Sequence, residues 1–117
     1  MLTSTTRDIG DVTVLDLKGS LISGPEVDVF KQRIDELVGN QKMNVVVNAE
    51  KVSVIDSSGT GALVVSFNRL KKSGGTLKVA NPSQFVRESL QTARIFKIIE
   101  IHDTEEAAVK SFADQAQ

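Results

Sequence analysis

The sequence predicts an α/β domain: a mixed sheet, opening with an antiparallel hairpin and continuing in parallel strands, packed with four helices in the order ββαβαβαβα. Two observations lead to this. From residue 25 onward, segments with helical spacing of apolar residues alternate with short apolar runs, and one of those runs, "MNVVVNA" at 43–49, has the β-branched composition of a strand buried on both faces. The helical segments also open on residues suited to helix starts, at Pro25, at Asn81-Pro82 and at Asp103 with Glu106. A chain of 117 residues forms one core, so residues 1–117 are read as a single domain.

In "TVLDLKG", Thr13, Leu15 and Leu17 share one face, and "TTRDI" ahead of Gly10-Asp11 supplies the other arm of a hairpin. Pro25 suits the first helical position and Glu26 the positive end of the helix dipole, and Val27, Phe30, Ile34, Leu37 and Val38 form the apolar stripe of a helix closed by Gly39 or Asn40. Residues 43–49 belong in mid-sheet. The second helix starts at Ser57 or Ser58 and runs to Gly74-Gly75, with Leu63, Phe67 and Leu70, flanked by Gly59, Ala62 and Ser66, toward the core. "TLKVA" (76–80) is a strand; Asn81 caps and Pro82 starts the third helix; "KIIEI" (97–101) is the last strand. Asp103 and Glu106 have the spacing of a capping box before a final helix packed by Val109 and Phe112.

Composition removes several functions. Fourteen Lys and Arg against 15 Asp and Glu leave no basic field for nucleic acid or an anionic membrane surface. Five Phe with no Trp or Tyr leave few platforms for stacking bases. Without cysteine there is neither a disulfide nor a thiolate ligand, and no apolar run approaches the ~18 residues of a membrane span. The opening "MLTSTTRDIG" lacks the basic and apolar parts of a signal peptide, so a cytoplasmic protein is expected.

The chemistry concentrates in Ile55-Asp56-Ser57-Ser58-Gly59-Thr60-Gly61. Asp56 or Ser57 can cap the helix, and the glycines can allow close helix-to-sheet approach. Each glycine also lowers helix propensity by ~1 kcal/mol relative to Ala, which a cap alone does not require. A bare helix N-terminus favours negative charge, so a phosphate could sit there with a ligand or on Ser57 or Ser58. Gly59 to Val64 carries two of the three glycines of a dinucleotide fingerprint, and there is no P-loop sequence. His102 is the single histidine and GxSxG is absent, which argues against a serine nucleophile. A phosphoryl-accepting Asp56 would need further carboxylates around a magnesium ion, and Asp8, Asp11 and Asp16 form no acidic pair. No catalytic residue, metal site or cofactor is expected.

The string Ile55 to Gly61 resembles the DSSGLG or DSTGLG motif of the STAS domain of bacterial anti-sigma factor antagonists. The resemblance spans most of the chain through "VTVLDLKGSL", "NVVVNAEKV", "LKKSGGTLKVANPSQFVRESL" and "IFKII". It implies a non-enzymatic partner switch. The unphosphorylated form would bind an anti-sigma factor that is also an ATP-dependent serine kinase, releasing a sigma factor. Phosphorylation of the first motif serine, Ser57, would end binding, and a metal-dependent phosphatase would restore it. The implied interface takes in Asp56, Ser58, Gly59, Thr60, Gly61, Val64 and Asn68, with Ser20, Ile22 and Ser23 of the loop after the second strand. Thr60 stands where the family commonly has Leu, and Ile22 where it commonly has an acid. The alternative is an accessory or docking subunit of another signalling or lipid-transport assembly, without phosphorylation.

Overall fold

In the computed structural model, which describes residues 1–115, one five-stranded sheet has its strands in chain order, with β1 (Leu2–Ile9) antiparallel to β2 (Val12–Leu21). The strands β3 (Asn44–Ile55), β4 (Thr76–Ala80) and β5 (Ile101–His102) continue in parallel from β2, so β3 is central as expected. Each crossover steps the same way across the sheet. With right-handed connections this puts α1 (Pro25–Gly39), α2 (Ser57–Lys72) and α3 (Gln84–Thr92) on one face. Their buried Phe30, Ile34, Leu63, Leu70 and Leu90 meet Leu15, Val45, Val47, Leu77 and Val79 in the main core.

Among the described residues, the opposite face receives only α4 (Glu105–Gln115), whose Ala108 and Phe112 cover Val12, Val14, Val46 and Ala80. Beneath it lies Lys78, 1% exposed, with its ammonium 2.6 Å from Ser111 Oγ, 3.3 Å from Glu100 Oε1 and 4.4 Å from the Phe112 ring centre. A buried ammonium is tolerated only with such partners, and these join the sheet to the last helix.

The central strand is longer than the run at 43–49. "EKVSVI" continues it to Ile55, with Val52 and Ile55 buried and Lys51 and Ser53 exposed. Register shifts hid this alternation: Asp16 faces Asn48 but Lys18 faces Lys51, so β3 holds one extra residue there, and a second follows where Gly19 faces Val52 but Ser20 faces Val54. Asn48 Oδ1 accepts the Glu50 N–H at 3.0 Å inside the first bulge.

Three boundaries differ from expectation. The stretch 97–101 is not a strand: Ile95–Lys97 is a 3₁₀ turn and β5 is only Ile101–His102. Buried Ile95 and Ile99 are four residues apart, a helical spacing, and Arg94 enters at φ 57°. Ser83 rather than Asn81 caps α3, its Oγ accepting the Val86 N–H while donating to Val52 O at 2.8 Å; that second bond ties the helix start to the β3 stretch extending beyond β4. Thr104 Oγ1 accepts the Ala107 N–H in place of the Asp103 cap, because Asp103 is drawn to Arg87 at 2.6 Å.

Candidate functional site

The motif sits where β3 runs into α2. Asp56 is extended, at φ −108° and ψ −173°, and its carboxylate joins two elements: Oδ1 accepts the Gly59 N–H at 2.8 Å and Oδ2 the Ser23 N–H at 2.9 Å. The Asp56 carbonyl accepts the Thr60 N–H and, at 3.0 Å, the Thr60 hydroxyl. Asp56 is therefore the cap and also the tie holding the Ser23 loop to the helix start, whereas Ser57 is the first helical residue and not the cap. The Ser23 amide, and next the Gly59 amide, hold the Asp56 carboxyl below its ordinary value.

A depressed carboxyl pKa stabilises the folded state above the unfolded value of about 3.9, and that contribution disappears as pH falls through the folded pKa. Asp56→Asn should accordingly flatten the decline of Tm with acid below about pH 4. An unchanged acid profile, measured by thermal unfolding across pH, would show that the carboxylate does not hold this junction.

The two glycines do different work. Gly59 is buried, and a Cβ there would meet Leu21 O at 2.1 Å, so glycine is required by the close approach of α2 to the end of β2 rather than by exposed backbone. Gly61 is exposed, with nothing within 4 Å of a Cβ, and no contact in the structure requires glycine there.

Two grooves flank the helix start. One, of about 830 Å³, runs between α2 and α3; Ser57, Thr60 and Val64 line it with Phe85, Glu88 and Thr92. The other, of about 430 Å³, lies between α1 and α2 and is lined by Ser23, Val27, Ser58 and Val65 among others. Both serines are exposed, and they open onto different grooves. Asp56 and Glu88 supply the charge in the larger groove, and its floor is apolar, with Ile55, Val64 and Ile95.

Of the residues expected at an interface, the structure gathers Asp56, Ser58, Gly59, Thr60, Gly61, Val64 and Ser23 around Ser57. Ile22 is half-buried in the same loop. Ser20 belongs to β2 rather than to the loop after it, its hydroxyl donating to Met1 O at 3.4 Å, and Asn68 is exposed on α2; neither lines a groove. Val64, implied as an interface residue, is half-buried and also packs on the main core. Sequence reading missed the α3 wall. Its signal was Phe85, an aromatic residue one position off the Val86 and Leu90 stripe and 50% exposed. The other candidate chemistries are taken up elsewhere: Asp8 is bonded to Thr13 and Lys42, Asp16 to Arg7, and His102 Nε2 lies 3.0 Å from Glu100 Oε1.

A mixed five-stranded sheet with three helices on one face, presenting exposed hydroxyls between apolar grooves, defines a small α/β domain. The STAS domain matches residues 3–108, and the chain belongs to that family. An anti-sigma F factor antagonist of Paenibacillus polymyxa is 25% identical over 79 residues, 67% of this chain and 68% of that protein. The crystal structure of a candidate anti-sigma factor antagonist from Thermotoga maritima superposes with a TM-score of 0.85 at 23% identity, covering 92% of each chain. SpoIIAA, an anti-sigma factor antagonist, superposes in its unphosphorylated form with a TM-score of 0.71 at 24% identity, covering 95% of this chain and 98% of that one. The Bacillus SpoIIAA in its phosphorylated form gives 0.70 at 22% identity, over 94% and 99%. Among the described residues, no helix is long and apolar enough to cross a membrane.

Proposed function

We propose that this chain is an anti-sigma factor antagonist whose unphosphorylated form binds an anti-sigma factor with serine kinase activity, and that phosphorylation of Ser57 ends the complex. The observation that carries this reading is the position of Ser57, exposed at the first turn of α2, uninvolved in the cap, and at the mouth of the apolar groove between α2 and α3. A partner that fills the groove covers the hydroxyl. The names of the relatives, one of them solved with and without phosphate, point the same way.

Phosphorylation adds about −1.5 to −2 charge to a groove whose charged lining is already acidic through Asp56 and Glu88. The Gly59 amide, which would otherwise help to solvate the phosphate, is bonded to Asp56. The added charge must be dehydrated when the groove is covered, and that cost falls on the complex rather than on the fold. A metal-dependent phosphatase would reverse the modification.

Ser57→Ala should bind the anti-sigma kinase as the wild type does and resist release by ATP. Ser57→Asp should bind at least about thirtyfold more weakly, as expected for an uncompensated charge in a covered site. Calorimetric titration of both variants is the test; equal affinities would remove Ser57 from the mechanism. Intact-mass measurement after incubation with kinase and ATP should show one phosphate on the wild type and none on Ser57→Ala.

A further inference from the structure

The sheet face opposite the two grooves is only partly covered by α4, and its open part holds a polar cleft of about 560 Å³. Its acidic end is internally satisfied. Arg7 pairs with Asp16 and Glu105, and Asn48 Nδ2 donates to Glu105 at 3.0 Å. The other end differs. Lys18 and Lys51 are register partners on adjacent strands, and among the described residues neither ammonium has a hydrogen-bond or carboxylate partner. Like charges placed opposite each other weaken a sheet.

The bulge creates this arrangement. With regular pairing after Asp16 and Asn48, Lys18 would face Glu50, an attractive pair. The extra residue in β3 instead puts Lys51 opposite Lys18, and Asn48 Oδ1 holds the bulge through the Glu50 N–H. Bulges re-aim side chains in this way beside functional sites. Glu50 also lines the cleft but is displaced from opposite Lys18, while the amides of Asn48 and Asn81 supply neutral hydrogen-bonding groups along the wall.

We propose that this cleft binds a small organic anion, bearing phosphate or carboxylate, whose charge lies between Lys18 and Lys51 and whose polar body runs along Asn48 and Asn81. Its volume falls within the ~300–1,000 Å³ usual for small-molecule sites. Charge-assisted bonds from two ammonium groups would supply the orientation and remove the repulsion between them. The site is separate from the Ser57 grooves, so its failure would leave the switch reading intact.

The test is a nuclear magnetic resonance titration of the whole chain with inorganic phosphate and, separately, citrate, each against sodium chloride at matched ionic strength. Saturable shifts confined to Lys18, residues 48–51 and Asn81 are expected with at least one anion, and the one that acts identifies the chemistry. Lys18→Ala and Lys51→Ala should each weaken binding about tenfold, while Lys51→Arg should retain it. Both lysines are exposed, so unfolding of the variants is not expected; unchanged dispersion of the spectrum checks this. Equal shifts with sodium chloride, or a response that survives the double alanine variant, would overturn the proposal.

Discussion

Gly59→Ala is expected to destabilise the domain by about 3 kcal/mol or more, a large effect for one methyl group. The new carbon would lie 2.1 Å from Leu21 O and 2.9 Å from Ile55 Cγ1. Leu21 O is backbone at the end of β2 and already accepts the Asp56 N–H at 3.3 Å, so it cannot swing aside as a side-chain tip would. Relief requires α2 to lift from the sheet, which would pull the Gly59 N–H from Asp56 and loosen the tie to Ser23. Gly61→Ala is the internal control: nothing lies within 4 Å, and the gain in helix propensity should add up to about 1 kcal/mol. Denaturant unfolding of both variants decides the matter. Similar losses at the two positions would refute the close-approach account.

Phe85→Ala should lower affinity for the anti-sigma partner by about thirtyfold, while changing folding stability by less than about 1 kcal/mol. The ring is half-exposed on α3, on the far wall of the groove from Ser57, and its truncation removes apolar surface that docking would bury. Asn68→Ala, outside both grooves on exposed α2, should leave affinity unchanged. Titration calorimetry on the two variants separates docking in the groove from docking on the side of α2. A large loss with Asn68→Ala and none with Phe85→Ala would move the partner onto α2 alone.

The helices α1 and α2 were legible because their apolar residues recur at helical spacing over four turns, and the residues read as their core stripes are those buried or half-buried here. The hairpin, the β-branched central strand and the element order also followed from local pattern. The motif at 55–61 located the site, since an acid, two hydroxyls and two glycines at a strand end have few structural uses together. Less legible were features that depend on distant neighbours. Thr104 and Ser83 took the caps assigned to Asp103 and Asn81; Arg87 recruits Asp103, and the free edge of β3 recruits Ser83. The end of β3 was hidden by Glu50 and Lys51, whose polarity reads as a loop until the bulge restores the alternation.

The sequence by itself determined the class of fold, the order of its elements and the place of the Asp-Ser-Ser motif, because periodicity and helix-start chemistry act over a few residues. Only the tertiary structure decided that Asp56 and not Ser57 is the cap, that Gly59 but not Gly61 is sterically required, and that α3 supplies the other wall of the groove. Each of those depends on a group far along the chain: the Ser23 amide, the Leu21 carbonyl and Phe85. Such groups meet the motif only when right-handed crossovers stack three helices on one face of the sheet, a constraint that acts on the assembled chain and leaves no mark in the seven residues of the motif.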